Sequence, residues 1–212
     1  MFGKKKPQFT DEIGASARES LLIRTLGPVN GRRVGLFLEI VQIFVLSLAL
    51  VVLIRTFLVQ PFYVKGASME PNYQDKEYLI IDELTYRFRT PERGETIVFR
   101  YPRNPKEFFI KRVIGLPGET VEVSKGKIRL INKDYPKGVV LDEEYLTGIE
   151  TSGDIQIKAG ENEYILLGDN RDHSLDSRVF GAVNFDSIVG RVWFRGWPPG
   201  RLGTQDLPDY NI

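Results

Sequence analysis

The stretch Val34–Ile54, VGLFLEIVQIFVLSLALVVLI, decides how the chain is organised. Seventeen of its 21 residues are apolar and Glu39 is its sole charge. Written as a helix it is about 30 Å long at ~1.5 Å per residue, the thickness of a bilayer core. A buried core helix of this length would need a large protein around it. A cleaved leader would have a shorter apolar region, about 7–15 residues, and no small-x-small site follows closely. The reading is a membrane-spanning helix over residues 34–56. Before it lies a basic tail, 1–33, that opens with Lys4-Lys5-Lys6 and carries seven Lys/Arg. After it come Arg55 and then only Lys65 within fifteen residues. The cation bias puts the tail in the cytoplasm and everything after the span outside. Glu39 and Gln42 share a helix face near the cytoplasmic end.

Residues 57–212 read differently. Short runs rich in Val, Ile, Phe and Tyr recur at Tyr78–Asp82, Thr96–Arg100, Phe108–Ile114, Thr120–Val123, Lys127–Ile131, Glu163–Leu167 and Ser187–Phe194. Gly, Pro, Asn and Asp punctuate them, and no long 3.6-residue period appears. The expected fold is mostly β, an antiparallel sheet or barrel. The segment after Trp197-Pro198-Pro199-Gly200 reads as polar and loose.

Composition narrows the chemistry. There are 212 residues, 29 Lys+Arg against 28 Asp+Glu, one His and no Cys. A near-neutral balance leaves no cation excess to neutralise phosphates, so nucleic acid is not an expected partner. Without Cys there is no disulfide, Cys-zinc site or thiol nucleophile, and one His makes no His-rich metal site. The nucleophile must come from Ser, Thr, Lys or a carboxylate. Ser68, in Gly66-Ala67-Ser68-Met69-Glu70-Pro71, sits in a turn of small residues that exposes a hydroxyl.

A serine hydroxyl needs a base. One candidate is His173, in Gly168-Asp169-Asn170-Arg171-Asp172-His173-Ser174-Leu175-Asp176-Ser177-Arg178, with Asp169, Asp172 or Asp176 as its orienting acid. The other is Lys111, in Phe108-Phe109-Ile110-Lys111-Arg112-Val113-Ile114-Gly115. Strand alternation places Phe109, Lys111 and Val113 on one face and Ile110, Arg112 and Ile114 on the other. A buried Lys111 would have a lowered pKa and could take a proton; one that snorkels to water would not. The 168–178 segment does not fit a calcium loop, since the sixth-position Gly and terminal Glu are missing.

Four motifs in order, after one amino-terminal anchor, resemble bacterial type I signal peptidases. They are Ser68-Met69-Glu70-Pro71, Arg93-Gly94-Glu95, Lys111-Arg112-Val113-Ile114-Gly115-Leu116-Pro117-Gly118-Glu119, and the 168–178 segment. The resemblance implies a membrane-bound serine endopeptidase that removes signal peptides from exported preproteins after small-x-small sites, without a metal or other cofactor. It implies a dyad, Ser68 attacking and neutral Lys111 accepting its proton. Ser174 would hold the lysine amine, Asp169 would pair with Arg112 and Asp176 with Arg178. Ser68 and Gly66 would give oxyanion N–H donors. His173 would be structural. Phe62, Val64, Met69 and Phe109 would line shallow pockets, and the peptide would add as a β-strand. The run Phe57-Leu58-Val59 and Trp193, Phe194 and Trp197 would rest at the lipid interface, burial in the β core being the alternative for Trp193. The rivals are a self-cleaving Ser–Lys protein and a membrane-anchored β module without activity.

Overall fold

The computed structural model describes residues 27–57, 59–146 and 148–212. The basic tail up to residue 26, and Leu58 of the apolar 57–59 run, lie outside the described residues. The chain divides into two units at Ile54/Arg55.

The first unit carries all but the last three residues of helix α1, Pro28–Phe57, 30 residues long. It starts six residues before the expected span, with Pro in its first turn, where a missing N–H costs nothing. Within it Arg33–Val52 is apolar enough to cross a membrane, with mean hydropathy 2.4 and none of the window buried. Leu36, Phe37, Ile40, Phe44, Leu46 and Leu50 are all exposed, so the apolar surface goes round the helix rather than along one stripe.

The second unit is mostly β and antiparallel. Eleven strands form among the described residues: β1 Val59–Tyr63, β2 Tyr78–Asp82, β3 Thr96–Tyr101, β4 Asn104–Gly115, β5 Thr120–Ser124, β6 Lys127–Ile131, β7 Val139–Val140, β8 Ile155–Lys158, β9 Glu163–Leu167, β10 Val183–Asn184 and β11 Ile188–Trp197. A seven-stranded sheet runs β1-β2-β11-β3-β4-β9-β10, and a four-stranded sheet runs β7-β6-β5-β8. One short helix, α2, Ser177–Phe180, follows β9 and is capped by Asp176, whose side chain accepts from the Arg178 N–H.

Both faces of the large sheet are covered near its centre. On β3, Ile97 and Phe99 pack with Val113, Tyr164 and Leu166, while Val98 packs with Val64, Met69, Leu79 and Ile81. A third cluster joins Ile114 and Ile165 to Val121, Ile128 and Leu130 of the small sheet. The second half of β4, Lys111 to Gly115, is therefore buried on both sides. That is why its sequence reads as a nearly unbroken apolar run with two cations inside it.

One expectation needs correcting, and for Trp193 burial in the core is ruled out. The segment after β11 is docked: Tyr210 is 5% exposed and belongs to the third cluster. An aromatic ring with a groove to fill outweighs the polar residues around it. Trp193 is not in the core; it is 50% exposed, as Trp197 is at 53%.

Candidate active site

Ser68 lies on the loop that joins β1 to β2. The loop is closed at its base by Val64 N–H to Glu77 O at 2.9 Å and Lys76 N–H to Val64 O at 3.0 Å. Met69 and Tyr73, both buried, anchor its far side, with Tyr73 N–H donating to Met69 O at 2.8 Å. A Glu70 N–H bond to Ala67 O at 3.1 Å makes the tight turn that presents Ser68.

Lys111 approaches from β4. It is 3% exposed, and its Nζ is 2.8 Å from Ser68 Oγ and 2.8 Å from Ile110 O. The ammonium lies 5.5 Å from the Phe109 ring centroid. Burial pulls the lysine pKa down to about 8, against the opposing pull of Asp176 and Asp169. At pH 8 about half of such a group is neutral and has a lone pair for a serine proton. The pair can therefore do nucleophilic chemistry without histidine.

The 168–178 segment ties these two elements together. Asp169, fully buried, receives Arg112 Nε at 2.8 Å and Nη2 at 2.6 Å, while Arg112 Nη1 donates to Gly94 O at 2.8 Å. Burial alone would lower the Arg112 pKa; the bonds to Asp169 more than reverse it and hold the guanidinium charged. Asp176 receives Arg178 Nε at 2.9 Å and Nη2 at 2.8 Å, and also the Gly168 N–H at 3.1 Å. Its burial raises the carboxyl pKa, yet Arg178 brings it below the ordinary value. Gly168 has no room for a side chain: a Cβ there would stand 2.5 Å from Ser68 O.

Residues that sequence reasoning did not single out complete the network. Asn170 donates its N–H to Ser68 O at 3.1 Å and its Nδ2 to Ala67 O at 3.0 Å, so one side chain and its backbone grip the Ser68 turn. Asn72 Nδ2 reaches Asp169 Oδ2 at 2.9 Å. Arg171, also buried, pairs with Glu143 at 2.5 and 2.7 Å and donates to Tyr145 Oη at 3.0 Å. Asn170 and Arg171 stood inside a quoted motif; Asn72 and Tyr145 carried no sequence signal.

Several expected placements differ. The Ser174 hydroxyl is buried beside Asp176, whose pKa it helps to lower, and makes no bond to Lys111, whose amine is directed at Ser68 and Ile110. The Gly66 N–H is taken by Asp75 Oδ1 at 2.8 Å, which removes it as a ready oxyanion donor. The Ser68 N–H has no partner among the described residues. His173 is exposed and makes no bond to Ser68; its N–H donates to Asn170 O at 3.1 Å.

A cleft of about 640 Å³ opens beside Ser68 and Lys111. Phe62, Val64 and Phe109 line it together with Leu79, Val98 and Ile110. Met69 does not: it is buried behind Val64, Leu79 and Val98, because the Tyr73–Met69 bond turns it into the core. Among the described residues no group of three or more His, Asp or Glu is placed to hold a metal ion.

Comparison with known proteins places the chain in a family. The family described as signal peptidase, peptidase S26, matches residues 37–197. A signal peptidase I of Leptolyngbya laminosa is 40% identical over 77% of this chain and 81% of its own length. A probable signal peptidase I-2 of Synechocystis is 38% identical over 79% of this chain and 76% of its own. A signal peptidase IB of Staphylococcus aureus is 33% identical over 76% and 90%. A crystal structure of a signal peptidase I from Enterococcus faecalis V583, 34% identical, covers 49% of this chain and 97% of that one, with a TM-score of 0.42. A family match over residues 37–197, with relatives alike over most of their length, means that the chain belongs to the signal peptidase I family of S26 peptidases and is a hydrolase.

Proposed function

We propose that this chain is anchored in the cytoplasmic membrane by α1, with its tail in the cytoplasm and residues 57–212 outside. There it cuts signal peptides from exported preproteins after small-x-small sites. The observation that carries the reading is the 2.8 Å contact between Ser68 Oγ and the buried Lys111 amine, whose pKa lies at about 8.

The neutral Lys111 amine accepts the Ser68 proton as Oγ bonds to the scissile carbonyl carbon. The Ser68 N–H faces the developing oxyanion; a single such donor is worth about 10²–10³ in rate. Collapse breaks the C–N bond, and the Lys111 ammonium returns its proton to the leaving amine. That leaves a serine ester and a neutral lysine. The lysine then takes a proton from water, whose oxygen attacks the ester, and protonates Ser68 Oγ as the acid departs. Ile110 O holds one amine N–H throughout and so fixes the lone pair toward Ser68.

The substrate adds as a strand beside β1, which ends the seven-stranded sheet and leads directly into the Ser68 loop. Phe62, Val64 and Phe109 leave shallow apolar room next to Ser68, which admits alanine and excludes larger side chains. The exposed Trp193 and Trp197 suit a lipid interface.

The test is cleavage of an Ala-x-Ala preprotein by the full chain in detergent. Ser68→Ala should lose at least about 10³-fold in kcat while melting at the wild-type temperature. A Ser68→Ala protein that cuts at the wild-type rate rules the mechanism out.

A further inference from the structure

The Arg93-Gly94-Glu95 motif takes no part in the chemistry above, yet Gly94 touches it at one remove. Its carbonyl accepts from Arg112 Nη1, and its N–H donates to Val113 O at 2.8 Å. Its φ is +88°, and a Cβ there would stand 2.9 Å from Pro208 Cδ and 3.2 Å from the Tyr210 ring. Gly94 is bare on the side where the segment after β11 passes over it.

That segment reaches Arg112 by a second route. The Tyr210 ring stands edge-on to Tyr145, centroids 5.9 Å apart. Tyr145 in turn lies against the Arg112 guanidinium, 4.6 Å from its ring centroid. Asn211 Nδ2 fixes the end of the segment to Asp142 at 2.9 Å. The ring makes the edge-on contact, and its hydroxyl lies within reach of Tyr145.

We propose that residues 204–212 are a positioning strap for the Ser68–Lys111 pair, with Tyr210 as its key. The line of contact runs from Tyr210 through Tyr145 and Gly94 to Arg112, then to Asp169. The neighbouring Asn170 holds the Ser68 turn. Arg112 is also next in sequence to Lys111, so its placement fixes the strand that carries the lysine. Tyr210 touches neither substrate nor the reacting atoms; it acts by holding Tyr145 against the Arg112 guanidinium, beside a cleft of about 330 Å³ that residues 204–207 share with Gly94 and Arg112.

The proposal rests on the dyad reading, and its readout is chosen accordingly. Lys111 loses water contact because its surroundings are packed. The charged groups that act on it are Asp176 and Asp169, paired with Arg178 and Arg112, while Lys65, Glu107 and His173 line the cleft it faces. Loosening the strap admits water to the Arg112 layer, which moves the lysine back toward its ordinary pKa and empties the neutral form at pH 7. Each pH unit of that shift costs about tenfold in neutral amine.

The experiment compares kcat/KM against pH for the full chain and three variants in detergent, at a temperature 20 °C below the melting point of each. Tyr210→Ala should lose at least fivefold at pH 7, in kcat rather than KM, and less than twofold at pH 10. Its alkaline midpoint should move up. Pro208→Gly, which leaves the core ring in place, should shift the same way by a smaller amount. Tyr210→Phe keeps the ring and should restore the wild-type profile. A wild-type profile in both Tyr210→Ala and Pro208→Gly overturns the proposal, as does an equal loss at pH 7 and pH 10. Ser68→Ala runs in parallel. Its activity would sink the dyad reading and the strap with it, whereas a dead Ser68→Ala beside an unaltered Tyr210→Ala sinks the strap alone.

Discussion

Lys111 is a cation placed where burial disfavours charge, and that single fact governs both pH response and stability. Its folded pKa of about 8 lies below the ordinary value of 10.5. Between those values the unfolded chain binds a proton that the folded chain does not. Stability therefore rises with pH across that window, and below pH 8 the folded protein carries the whole cost, about 3 kcal/mol. Lys111→Met fills the same space without charge. Urea unfolding followed by tryptophan fluorescence should find it more stable than wild type at pH 6, by up to about 3 kcal/mol, with the gain fading as pH approaches 10.5. An unchanged difference at pH 6 and pH 10 would mean that the lysine is not desolvated. Catalysis rises with pH as well: wild-type kcat/KM should climb from pH 7 with a midpoint near 8, and the methionine variant should be inactive throughout. The lysine was one of two possible bases in the sequence. Alternation showed which neighbours share its face, but not whether that face is covered, because covering residues come from other strands.

At the scale of elements, β4 shows what was legible and what was not. Its apolar run marked a strand, and its two cations marked something unusual. The partner of Arg112 lies 57 positions away, and the Asn170 grip on Ala67 spans 103. Contacts this distant leave no local periodicity, which is why Asn72 and Tyr145 gave no signal. The readable strands are uninterrupted runs of about five residues or more rich in β-branched or aromatic residues. Those missed are β7 and β10, two residues each, β1, interrupted by Pro61, and β8, whose Gln and Lys dilute the pattern. The Arg112–Asp169 pair makes a prediction of this scale. Removing one partner leaves a charge buried alone, so Asp169→Ala should cost about 3–5 kcal/mol of stability. Replacing both, as in Arg112→Met with Asp169→Leu, should recover much of that loss yet leave the enzyme slow, since Gly94 O and Asn72 lose their donor and acceptor. Equal destabilisation in the single and double variants would show that the charge pairing is not what the site depends on.

For the whole molecule, average composition conceals two different solvents. A hydrophobic share of 42% and a net charge of +1 look like an ordinary soluble domain. The described residues instead divide into a helix apolar on every side and a β unit whose apolar residues are gathered into three clusters. A helix of the first kind satisfies its own backbone, and no water is needed along Arg33–Val52. Each arginine placed at its centre should add about 2.5–3.5 kcal/mol to insertion. Ile43→Arg with Leu46→Arg should therefore move the protein from the carbonate-resistant membrane pellet to the soluble fraction. The β unit is a separate folding body, so the released protein should still cut a short Ala-x-Ala peptide at the wild-type rate in detergent. Its action on a preprotein held in vesicles should fall by at least about tenfold, because the anchor no longer confines enzyme and substrate to one surface. Retention of the double arginine variant in the pellet would show that α1 is not what holds the protein there. Unchanged cleavage in vesicles by a fully released variant would show that shared confinement to the membrane is not needed for the reaction.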